Sequence, residues 1–122
     1  PLNATMGTFY GAGTHANGIE GPAFVGAAVA IEEGATIGPF TVLGENCSIG
    51  RQAVVSRSVL WDNVRVGERA YVHDSIVASR ATIGAHARVG AGSVVAHDYV
   101  VEDGRDVAPE SRLGMDDLAK TT

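Results

Sequence analysis

From Ile19 onward an aliphatic residue returns at nearly every sixth position. The series is Ile19, Val25, Ile31, Ile37, Leu43, Ile49, Val55, Leu60, Val66, Val72, Val77, Ile83, Val89, Val95 and Val101. A helix would repeat its apolar face at three and four residues, and a plain strand would repeat at two. A sustained period of six marks a β-solenoid of hexapeptides. Each hexad is then one short strand plus one corner, three hexads close a triangular coil, and coils stack ~4.8 Å apart by parallel pairing. The aliphatics fill the axis. Four places after each comes a partner for the adjacent corner: Ala23, Val29, Ala35, Thr41, Cys47, Ala53, Val59, Val64, Ala70, Ile76, Ala81, Ala87, Ser93, Tyr99 and Arg105, uncharged until the last. Gly often follows the aliphatic, as expected where the chain bends and a Cβ would be crowded.

Two steps are one residue short, Val55 to Leu60 and Val72 to Val77, and they lie 17 residues apart. Arg57-Ser58-Val59-Leu60 parallels Asp74-Ser75-Ile76-Val77, so the shortened hexads stack on the same side of the prism. The pattern predicts an all-β chain with about five triangular turns over residues 19–106. Residues 1–18 carry no register; Gly7, Gly11, Gly13 and Gly18 read as a Gly-rich lead-in or linker, with Leu2, Met6, Phe9 and Tyr10 available to cover the open first turn. Residues 107–122 drop the pattern and are expected to form a C-terminal cap and tail, including one helical turn over 115–120.

At 122 residues this is one domain, and its 16 Gly suit a fold made of corners. A net charge of −5 without a basic block argues against nucleic acid as a partner. No apolar run approaches a membrane span, and no signal peptide is visible, so a cytoplasmic setting is expected. The chain opens on Pro1, which leaves a cut-out fragment and a processed start equally open. Cys47 sits at a core position and reads as a small apolar group, not a reactive thiol.

Candidate chemistry is sparse. His73, His97 and His86 fall on sides one, two and three of the prism, so they do not converge on a metal within one subunit, although a trimer interface would bring such faces together. Solvent-facing histidines, with His15 in the lead-in, are the simpler reading. Phe24, Val42 and Val94 each precede an inward aliphatic on side two, and Trp61 takes a corner Gly position there. Together they form a possible interface, with scattered surface apolar residues as the plain alternative. Arg51, Arg57, Arg65, Arg69, Arg80 and Arg88 interleave with Asp62, Glu68 and Asp74. A solvated mixed-charge face explains them simply; a phosphate pocket is the sharper alternative. No nucleophile elbow, phosphate loop or dinucleotide fingerprint appears, so no catalytic, cofactor-binding or metal residue is assigned.

Gly21-Pro22-Ala23-Phe24-Val25-Gly26, Ile37-Gly38-Pro39-Phe40-Thr41-Val42-Leu43-Gly44, and the pair SVLWDNVRVG and DSIVASRATIG resemble the C-terminal domain of sugar-nucleotide pyrophosphorylases, above all those of mannose-1-phosphate guanylyltransferase type. The likeness covers about residues 19–104. It implies a single-stranded left-handed parallel β-helix; that hand comes from the resemblance, since the usual crossover rule favours the other. It also implies a parent enzyme that transfers a nucleotidyl group from an NTP to a sugar 1-phosphate with Mg²⁺. That family's catalytic half is an N-terminal domain with a G-x-G-x-R-x-x-P-L-T-like loop, which these residues lack. The expected partners are that missing nucleotidyltransferase domain and further copies in a homo-oligomer. Three rivals share the fold, one of them a purely structural trimer. A hexapeptide acyltransferase would extrude a loop, which the register from 19 to 101 does not admit. A γ-carbonic-anhydrase-like trimer needs a close histidine pair, whereas the spacings here are 13 and 11.

Overall fold

The computed structural model describes residues 7–114. Their regular structure is entirely β: three sheets of seven, five and seven short strands form the walls of a triangular prism of about five turns. Wall one carries Ile19, Ile37, Val55, Val72, Val89 and Val107 inward; wall two carries Val25, Leu43, Leu60, Val77, Val95 and Leu113; wall three carries Ile31, Ile49, Val66, Ile83 and Val101. Like pairs with like along each axis, as in Ile31↔Ile49↔Val66↔Ile83↔Val101. Fourteen of the fifteen aliphatics predicted to face inward are buried. Ile31 is only half-buried, because its strand is the edge of wall three and no coil lies beneath it.

Apart from the bend at Gly21-Pro22, every corner between the coil strands holds a residue in the left-handed region. Asn46, Asn63, Arg80 and Asp98 stack at the corner between walls two and three with φ of 61°, 63°, 64° and 63°. Their amides donate to the coil below: Asn63 N to Glu45 O at 2.8 Å, Arg80 N to Asp62 O at 3.0 Å, Asp98 N to Ser79 O at 3.0 Å. Stacking thus carries the ladder around the bend and holds a conformation that costs an isolated L-residue ~1–2 kcal/mol. The glycines that follow the aliphatics have a different task. A Cβ on Gly50 would lie 2.7 Å from Glu68 N, and one on Gly67 would lie 2.6 Å from Ala85 N. The next coil does the crowding there, while the positive φ falls two residues later, at Gln52 and Arg69.

Three expectations need correction. The lead-in is not simply a loop: Thr8–Tyr10 pairs antiparallel with Ala23–Val25, and His15–Ala16 with Ile19–Glu20. These strands occupy the first-coil edges of walls two and one, and Tyr10 packs against the core. An antiparallel return satisfies amides and carbonyls that a solenoid end leaves unpaired. Leu2 and Met6 lie outside the described residues.

Second, the coils continue past 106. Asp106–Val107 and Arg112–Leu113 extend walls one and two in parallel register, with Val107 buried. The Val95-to-Val101 step simply repeats twice more, and Pro109 falls in the bend between strands, where no ladder amide is needed. The helical turn expected over 115–120 lies outside the described residues.

Third, Val59 and Ile76 do not face inward. The shortened hexads bring the small core residue one place earlier, so Ser58 and Ser75 take the interior slot and the following β-branched residues point outward. A one-residue change in a strand of period two necessarily exchanges its faces. Ser58, Ser75 and Ser93 therefore continue a buried column above Thr41. Ser75 N donates to Ser58 Oγ at 3.1 Å, and the one hydroxyl hydrogen of Ser75 is shared between His73 O and Gly90 O, 2.9 and 3.0 Å from Oγ. Trp61 lies at the corner after Val59–Leu60, beside the strip of Phe24, Val42 and Val94.

Candidate functional site

The exchange at Val59 and Ile76 completes a surface of which the hydrophobic pattern showed only parts. Outward positions on wall two pair in register as Phe9↔Phe24↔Val42↔Val59↔Ile76↔Val94. The run crosses six adjacent strands, or ~24 Å at ordinary strand spacing. Phe9, Phe24, Val42, Val59 and Ile76 are all exposed. Phe40 extends the apolar area at one rim, where the Arg57 guanidinium lies 5.7 Å from its ring centre, and Trp61 extends it at the other. A continuous ladder of β-branched and aromatic residues on a solvent face departs from the usual polar outer surface of an antiparallel or solenoid sheet. Of the four predicted interface residues, Phe24, Val42 and Val94 belong to one ladder and Trp61 flanks it. Phe9, Val59 and Ile76 were missed. The available signal was the serine pair 17 residues apart, which marks the core slot and so turns its neighbours outward.

Polar groups gather at the two corners that flank wall two. Between walls one and two, Arg57 Nε donates to Asp74 Oδ1 at 3.0 Å, and His73 Nδ1 lies 3.2 Å from Asp74 Oδ2. The bond from Arg57, then that from His73, holds the Asp74 carboxyl below its ordinary range. Between walls two and three the pattern recurs with Arg80, which grips Asp98 through two bonds of 2.9 and 3.2 Å, and His97, whose Nδ1 is 2.9 Å from the second oxygen. Arg80 first and His97 second pull Asp98 down to about 2. On wall one, the rings of Tyr71 and His73 stack at 4.8 Å, and Arg88 lies 5.9 Å from the Tyr71 ring centre.

His73, His97 and His86 stand at separate places around the prism, and among the described residues no group of three or more His, Cys, Asp or Glu is placed to hold a metal ion. Cys47 is buried, its Sγ donates to Trp61 O at 2.9 Å, and burial pushes its thiol up from the ordinary range. It is a packing residue. No helix among the described residues is long and apolar enough to cross a membrane.

A stacked hexapeptide prism of about five turns with an apolar ladder along one wall defines a β-solenoid domain. The chain belongs to the GMPPB C-terminal domain family, whose model matches residues 19–114. This agrees with the resemblance drawn from the SVLWDNVRVG and DSIVASRATIG hexads. No curated protein matches the chain. Among solved structures, it is similar to a histidine-to-alanine variant of GDP-perosamine N-acetyl transferase from Caulobacter crescentus, solved in complex with CoA and GDP-perosamine. The identity is 18% and the TM-score 0.29, over 74% of this chain and 51% of that one. The chain therefore spans about half the length of that protein.

Proposed function

We propose that this chain is the β-helix module of a sugar-1-phosphate nucleotidyltransferase of GDP-mannose type, and that it serves assembly. Its family membership supports the parent class. The observation that carries the assembly role is the apolar ladder from Phe9 to Val94 on wall two. Five exposed aliphatic and aromatic side chains in that ladder, with Phe40 and Trp61 beside them, offer several hundred Å² of apolar surface. A standard protein interface takes ~800 Å² from each partner, so the wall matches one such contact, here with a second copy of the chain. Mg²⁺ and the NTP chemistry belong to a catalytic domain outside these 122 residues.

Sedimentation velocity tests the assembly reading. The chain is expected to associate with itself at micromolar concentration, and Val42→Glu/Ile76→Glu to sediment as a monomer with an unchanged β spectrum. Both substitutions lie on outward positions, so the prism tolerates them. A parent chain that stays monomeric at every concentration refutes the reading. Saturable binding of acetyl-CoA would replace it with the acyltransferase alternative.

A further inference from the structure

A second surface, independent of the apolar wall, has the makings of a ligand site. On wall one the outward row runs Tyr71, Arg88, Asp106 on three successive coils, in paired register. Beside it runs a second column, His73, Gly90, Ala108, in which the side chains shrink abruptly above His73. Gly90 is imposed by the coil spacing: a Cβ there would lie 2.7 Å from Pro109 N and 2.7 Å from Val107 O. The missing side chains open a cleft of about 450 Å³ bordered by Tyr71, His73, Arg88, Asp106 and Pro109. That volume lies in the range of small-molecule sites.

The groups around the cleft are chemically complementary to one kind of molecule. Among the described residues no carboxylate pairs with Arg88, in contrast to Arg57 and Arg80. Its guanidinium is held near the Tyr71 ring, and its fork remains available for two parallel bonds to a phosphate. His73 is held from behind by Asp74 at Nδ1, which leaves its Nε2 edge as a second polar contact. Asp106, one coil beyond Arg88, repels an anion and accepts bonds only from donors such as hydroxyls. A bare anion satisfies Arg88 and is opposed by Asp106; a polyhydroxylated phosphate satisfies both.

We propose that this cleft binds a small sugar phosphate, with Arg88 on the phosphate and Asp106 on the sugar hydroxyls. The test is an NMR titration of the intact chain, following the His73 ring resonances, with α-glucose 1-phosphate and inorganic phosphate as probes. The sugar phosphate is expected to shift His73 saturably and to bind at least about tenfold more tightly than inorganic phosphate. Arg88→Ala is expected to abolish the shift. Asp106→Asn is expected to reduce sugar-phosphate binding to the level of inorganic phosphate. Ala108→Trp, at an exposed position, fills the cleft without removing a charged group and is expected to block binding with the melting temperature unchanged. Equal binding of the two probes, or a His73 shift that survives Arg88→Ala, overturns the proposal. Because the readout is ligand binding by this chain, neither result depends on whether it self-associates through wall two.

Discussion

Replacing Ser58 by alanine deletes one hydroxyl from the buried column at the corner between walls one and two. That hydroxyl accepts from Ser75 N at 3.1 Å and donates to Ser56 O at 2.8 Å, in a side chain 1% exposed. Alanine fits the space but leaves the Ser75 amide without that acceptor. An orphaned buried polar group costs about 1–3 kcal/mol, so Ser58→Ala is expected to destabilise by about that much, or by several degrees in melting temperature. Thr41, one coil earlier in the same column, supplies the control. It is as buried, yet its Oγ1 has no hydrogen-bond partner. Thr41→Val keeps the shape and removes an unsatisfied hydroxyl, so it is expected to be neutral or to stabilise by up to ~1 kcal/mol. Urea unfolding of the three proteins reads both differences against one baseline. If Thr41→Val loses as much as Ser58→Ala, or if Ser58→Ala melts like the parent, the column does not stabilise the corners through its hydroxyls.

Two further outcomes follow from the same packing and electrostatics. Ile49 is completely buried between Ile31 and Val66, so Ile49→Asp places an unpaired charge on the axis and is expected to abolish cooperative unfolding in a denaturant titration; a normal transition would mean the inward register is wrong. Asp98 has its folded pKa lowered to about 2 from 3.8 by Arg80 and then His97, so its contribution to stability is full above the unfolded value and is lost as pH falls through that window. The stability difference between the parent and Asp98→Asn should therefore shrink between pH 4 and 2, and a difference that stays constant there would show that the Arg80 pair has no role in acid stability.

The aliphatic series from Ile19 to Val101 was sufficient to specify the prism, because only a six-residue repeat puts every such residue on one axis while neighbouring coils share their amides. The family resemblance was legible for a related reason: the two short hexads had to stack, and their text repeats accordingly. Which residue filled the core slot in those hexads was marked only by the serines 17 residues apart, and the aliphatic pattern did not show it. Serine and valine are both acceptable beside a corner, and the choice of Ser58 over Val59 depends on the hydroxyl reaching Ser56 O and Ser75 N on adjacent strands. That choice turned Val59 and Ile76 outward and joined separate apolar positions into one wall. The lead-in strands were hidden too, since antiparallel pairing to the first coil leaves no six-residue period. The wall-one cleft was equally beyond linear reading. Tyr71, Arg88 and Asp106 are 17 and 18 residues apart, and only the stacking of three successive coils makes them neighbours.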